Sequence, residues 1–185
     1  MDPGSGRGKG RRLSAPAQSR LFFALWPEEA ARAALYEQAL ALKAGAGGRL
    51  TRAAKLHMTL VFLGEIERTR VAELERVAQA VAANAFAMRI DRSGYWPRQK
   101  IVWAAPQVVP AALSQLVAAL EAGLRAAGFQ LEDRAWQPHI TLLRDARRPS
   151  LSQCDATDWP VNDFALVESA RGAYRVIGRW KLAAI

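Results

Sequence analysis

The chain has 185 residues, 51% of them hydrophobic, enough to bury a core as one compact domain or two small lobes. No apolar run approaches the roughly 20 residues that a membrane helix requires, which excludes a helical membrane protein. The formal net charge of +9 favours polyanionic partners, and the single cysteine, Cys154, excludes an internal disulfide and fits a reducing, cytosolic setting.

Residues 1–19 alternate glycine with polar and basic residues and carry Arg7, Lys9, Arg11 and Arg12 against Asp2, a net of +3. This stretch holds too little apolar surface to offset its ordering entropy, which predicts a disordered basic tail ahead of one folded unit over 20–185. It has neither the apolar centre of a secretory signal nor the amphipathic pattern of a transit peptide. Arg20 to Trp26 (RLFFALW) reads as a buried strand. Pro27, Glu28 and Glu29 then open a helix, with Ala31, Leu35, Ala39 and Leu42 at helical spacing until Gly45, Gly47 and Gly48 stop it.

Lys55 to Leu63 (KLHMTLVFL) alternates as a strand. Its period places Leu56, Met58, Leu60 and Phe62 on one face and His57, Thr59 and Val61 on the other, with Gly64 ending it. A second helix follows through Val71, Leu74, Val77 and Val81, then a strand at Phe86–Ile90 and a break at Gly94 to Pro97. Lys100 to Ala105 (KIVWAA) is a strand, and Pro110 opens a helix striped by Leu113, Leu116, Leu120 and Leu124 and closed by Gly128. His139 to Leu143 (HITLL), Phe164 to Glu168 and Tyr174 to Leu182 complete the strands, while Trp96, Trp103, Trp136 and Trp180 are expected in the core.

Strand, helix and then a strand with His-x-Thr-Leu occurs twice. The interval from Phe22 to His57 is 35 residues and that from Val102 to His139 is 37. Such self-similarity predicts two related lobes, each an antiparallel sheet with helices outside, whose motif strands face each other across a groove. These are the only two histidines in the chain. With five threonines in all, the paired motif arises by chance on the order of once in ten thousand sequences.

The motif has a chemical logic. Residues i and i+2 of a strand share a face, so each histidine travels with its threonine: His57 with Thr59, and His139 with Thr141. An imidazole exchanges protons near neutral pH and a hydroxyl hydrogen-bonds a phosphate oxygen. Two such pairs around one phosphorus would let one ring take a proton from water while the other gives one to a leaving oxygen. A lone strand histidine is more often an ordinary packed side chain; the repeat argues against that here. No acidic residue stands at ligand spacing beside either histidine, so no metal site is expected, and no Ser or Cys nucleophile signature occurs.

RLFFALWP, LHMTLVFLGEI, GYWPRQKIVWAAP and PHITLLRDA together make the chain similar to the 2H phosphoesterases, and within them to the RNA 2',3'-cyclic phosphodiesterases once called 2'-5' RNA ligases. The resemblance covers residues 20 to about 182. It implies an α+β, bilobal, pseudo-symmetric fold with two antiparallel sheets lining a central cleft. It also implies metal- and cofactor-free opening of an RNA 2',3'-cyclic phosphate to a 2'-phosphate, by a monomeric cytoplasmic enzyme. By the same resemblance His57 is the general acid and His139 the base, with the two roles easily exchanged. Thr59 and Thr141 bind phosphate oxygens, Arg144 supplies a positive charge, and Phe22 stacks on a base. Strict alternation turns Arg144 away from His139 unless the strand twists or ends there. Lys55 stands where relatives carry other residues and bears on substrate approach. The alternatives are 2'-5' ligation or 2'-5' phosphodiester cleavage at the same site, and a non-catalytic basic RNA-binding module.

Overall fold

The structure is a computed structural model that describes residues 17–150 and 156–184; of the tail predicted over 1–19, residues 1–16 lie outside the described residues, as does Cys154, whereas Gln18 and Ser19 already belong to a strand. It is an α+β protein with two antiparallel sheets and three α-helices. The chain runs β1 (Gln18–Leu25), α1 (Glu29–Ala46), β2 (Arg49–Leu50), β3 (Met58–Glu67), α2 (Val71–Gln79), β4 (Phe86–Ile90), β5 (Arg92–Trp96), β6 (Ile101–Ala105), α3 (Ala111–Ala126), β7 (Ile140–Arg144), β8 (Thr157–Val161), β9 (Asp163–Ala170) and β10 (Ala173–Lys181). None of the described helices is long and apolar enough to cross a membrane.

The large sheet has the order β10-β9-β1-β3-β7-β6-β5, with β2 added to β7. Its two halves carry the sequence repeat, β1–α1–β3 in one and β6–α3–β7 in the other. Their motif strands β3 and β7 meet through one residue pair, Met58 opposite Ile140, and β2 adds two more pairs with β7. The two sheets expected to line the cleft are thus the halves of a single sheet, joined at β7. The second sheet, β4 with β8, alternates buried and exposed residues along both strands and places Met88 against the fully buried Trp159.

The helices do not stay with their own repeat. α1 packs against β7 and β8, and α3 against β3, so each half of the sheet is backed by the helix of the other. The leucine stripe of α3 is fully buried as its spacing predicts. One continuous core runs beneath both halves, from Leu21 and Phe23 to Leu142 and Phe164.

Three expectations need correction. Gly45 lies inside α1, which ends only at Ala46, where Gly47 takes φ 63°. The expected break at Gly94 is instead strand β5, in which Gly94 pairs with Trp103. Gly64 does not end β3: at φ 73° it sits within the strand as a bulge residue, a conformation that costs glycine nothing.

Candidate active site

A 3-10 turn, Ala53–Lys55, precedes the first motif, and the Trp26 indole N–H donates to the Ala54 carbonyl at 3.3 Å to hold it. His57 then stands one residue before β3, and its Nδ1 lies 2.7 Å from the carbonyl oxygen of Lys55. His139 stands one residue before β7 with Nδ1 2.9 Å from the carbonyl oxygen of Gln137. A carbonyl only accepts, so both rings carry their proton on Nδ1, and Nε2 is left for chemistry. The same bond to residue i−2 in both motifs is the structural signature of the repeat.

Both histidines and both motif threonines line one cavity of about 490 Å³, within the usual size of a small-molecule site. The Met58–Ile140 pair explains their arrangement. Extending that antiparallel register by one residue sets His57 across from Thr141 and Thr59 across from His139. Each half therefore supplies an imidazole to one side of the cavity and a hydroxyl to the other. Trp136, just ahead of the second motif, donates its indole N–H to the Thr59 carbonyl at 3.0 Å and ties the two motifs together.

Beyond each threonine the strand slips. β1 pairs Ala24 with Thr59 but Phe23 with Val61, so Leu60 is an extra residue. β6 pairs Trp103 with Thr141 but Val102 with Leu143, so Leu142 is the matching extra residue. A bulge reverses the faces of everything after it. Leu60 and Val61 both enter the core, as do Leu142 and Leu143. The next residue in each strand, Phe62 or Arg144, turns into the cavity. This corrects the expected placement of Phe62 in the core and of Val61 beside His57. It also explains how Arg144 reaches the site against simple alternation.

Phe22 lines the cavity as expected, yet it is only 5% exposed. Its ring is spent on packing, 5.2 Å from His57 and 5.4 Å from Tyr174. Trp26 stacks on His57 at 5.0 Å and Tyr174 meets it edge-on at 5.2 Å, so three aromatic rings cage this imidazole. Phe62, with the Arg20 guanidinium 5.0 Å from its ring centre, and Tyr174 are the accessible aromatic faces instead. Lys55 donates to the Gly172 carbonyl and lies 5.2 Å from the Tyr174 ring, which fastens the β9–β10 turn to the turn before His57. Alternation pointed to none of Arg20, Phe62 and Tyr174, because the bulge and the return of β9–β10 decide their positions.

The lining includes Arg20, Arg49, Arg52, Lys55 and Arg144 and no carboxylate. Arg49 is partly neutralised by Asp145 at 2.6 Å, outside the lining. Burial, outweighing the opposing bond to Lys55, lowers the His57 pKa from 6.5 to about 4, with further lowering by His139 and Arg144. His139 is also lowered, first by burial and then by the charges of Arg134 and Arg144, against the bond to Gln137. Both rings are therefore neutral near pH 7, and both would gain proton affinity from a bound anion. No group of three or more potential metal-ligating side chains occurs among the described residues.

A two-lobed sheet presenting paired His-x-Thr strands to a cationic cavity defines a two-histidine phosphoesterase. The family described as LigT like Phosphoesterase matches the chain twice, over residues 25–103 and 104–177, each match holding one His-x-Thr motif, and the chain belongs to this family. It is 34% identical over 170 residues to the RNA 2',3'-cyclic phosphodiesterase of Escherichia coli, covering 88% of this chain and 96% of that one. It is 32% identical over 164 residues to the protein of the same name from Thermus thermophilus, covering 81% of each. The crystal structure of E. coli LigT in apo form superposes with a TM-score of 0.78 at 31% identity, over 90% of this chain and 98% of that one. The same protein has been crystallised with 3'-AMP.

Proposed function

We propose that the protein hydrolyses RNA 2',3'-cyclic phosphate ends to 2'-phosphates, using His57 and His139 without a metal. The observation that carries this reading is the pair of imidazoles, each with Nδ1 tied to a backbone carbonyl, in one cavity with two threonine hydroxyls and no carboxylate. Water attacks phosphorus as Nε2 of one histidine takes its proton. The P–O3' bond breaks as Nε2 of the other donates a proton to O3', leaving a 2'-phosphate and a free 3'-hydroxyl. Thr59, Thr141 and Arg144 stabilise the charge that grows on the non-bridging oxygens. The names of the E. coli and Thermus relatives support the substrate.

The phosphodiester's own negative charge supports the protonation this cycle needs, since it opposes the burial that keeps both rings neutral. The family resemblance makes His57 the acid and His139 the base. Both come from one chain, which supports a monomeric enzyme, and action on RNA in the cytoplasm belongs to the same reading.

The test is to offer an oligonucleotide ending in a 2',3'-cyclic phosphate, in EDTA, and identify the product. His57→Ala and His139→Ala should each lower kcat about a hundred- to ten-thousand-fold with the fold intact by circular dichroism. Substantial turnover by either variant overturns the mechanism. A substrate with sulfur in place of O3' needs no proton on leaving, so it should restore the rate of His57→Ala and not that of His139→Ala. The opposite rescue would exchange the two roles.

A further inference from the structure

Beyond the cavity the sheet continues from β7 into β6 and β5. Trp96 and Trp103 are both partly exposed, and neither belongs to a hydrophobic core cluster, whereas Trp136 and Trp180 pack against the core as expected. Trp96 meets the His139 ring edge-on at 4.6 Å, and Trp103 lies 5.6 Å from Trp96. Trp103 is the cross-strand neighbour of Thr141, so the two indoles extend directly from the second motif.

Gly94 explains why Trp103 lies as it does. A Cβ at Gly94 would come within 2.1 Å of the indole, so the missing side chain makes room for the ring to lie flat across β5. The Arg92 guanidinium sits 5.4 Å from the Trp103 ring centre, and Arg92 is exposed. The Trp103 Nε1 has no hydrogen-bond partner among the described residues, so the ring is placed for its face and not for its N–H. Residues 92–105 contain Arg92, Arg98 and Lys100 and no acid, and all three cations are exposed.

The two halves of the sheet differ at this point. By register Ala24 in β1 is the counterpart of Trp103 in β6, since each pairs with its motif threonine. Ala24 is fully buried among Phe22, Ala165 and Val167. The first half thus closes over its histidine, while the second half extends a partly exposed, cationic aromatic shelf.

We infer that Arg92, Trp96 and Trp103 form a subsite for the nucleotide that precedes the cyclic phosphate end of a single-stranded RNA, an inference that rests on the function proposed above. A base stacks on the indole shelf, and its phosphate pairs with Arg92, as single-stranded nucleic acids are generally held. The occupant is RNA rather than protein because the shelf adjoins the cationic cavity at His139 and residues 92–105 hold three exposed cations and no acid.

The experiment compares kcat/KM on a 2',3'-cyclic mononucleotide with that on a trinucleotide bearing the same end. The wild type should prefer the trinucleotide about tenfold, the scale of one base–aromatic stack. Arg92→Ala and Trp103→Leu should each bring that ratio close to one, and Trp103→Phe, which keeps a ring face, should restore most of it. A length preference that survives in both variants, or is missing from the wild type, overturns the subsite. Binding of a labelled trinucleotide ending in a 2'-phosphate is measured in parallel by fluorescence anisotropy. If no cyclic phosphate is opened at all, the proposed function fails, and the anisotropy arm still decides the subsite: affinity must fall in Arg92→Ala and Trp103→Leu and recover in Trp103→Phe.

Discussion

His57 and His139 share a motif and a backbone tether, yet their surroundings differ. Phe22, Trp26 and Tyr174 enclose His57, and burial depresses its pKa to about 4. The sign of the consequence is fixed. An unfolded chain takes up a proton on this ring near pH 6.5, while the native ring refuses it until about 4, so native stability falls as pH drops through that window. The loss is on the order of 3 kcal/mol across the full interval. Urea titrations at pH 7 and at about pH 4.5 should show this fall in the wild type and a smaller one in His57→Gln. Equal falls in both proteins would mean that His57 is not held neutral by burial.

At the scale of elements, the three helices and the strands that carry the histidines are readable from period, proline and glycine, because local pattern and global burial agree there. The pairing of His57 with Thr59 and of His139 with Thr141 is readable for the same reason. What escapes the pattern is set by non-local pairing. The bulges at Leu60 and Leu142 follow from the partner strands β1 and β6, so the sequence period misplaces Val61 and Phe62 and leaves Arg144 undecided. β5 was hidden because Gly94 looks like a breaker until Trp103 is seen lying over it. β8 does alternate, but its Pro160 argues against a strand, and β2, two residues long, is too short to show a period. Gly64 gives the bulged stretch of β3 its left-handed residue, and a Cβ there would meet nothing closer than the Phe62 ring at 3.8 Å. Gly64→Ala should therefore cost about 1–2 kcal/mol for conformational rather than steric reasons, read as a lower urea midpoint. An unchanged midpoint would show that the bulge does not depend on this glycine.

Across the whole molecule, five basic side chains line the cavity and no carboxylate does, so its attraction for a polyanion is long-range and screened by salt. KM for an oligonucleotide should rise steeply between about 50 and 200 mM salt, and more steeply than KM for a cyclic mononucleotide, which neutralises fewer phosphates. Parallel salt dependences would mean that the bases and the terminal phosphate alone carry the affinity.

The exchange of helices between the halves reaches further than packing. With α1 seated against β7 and α3 against β3, neither repeat carries the cover for its own apolar strand face. Severing the peptide in the exposed turn at residues 97–100, just ahead of the second repeat, should therefore yield two pieces that each aggregate or remain unstructured when expressed alone. Co-expressed, the pieces should reassemble through interdigitation of their helices and recover turnover, each donating one imidazole to a reconstituted centre.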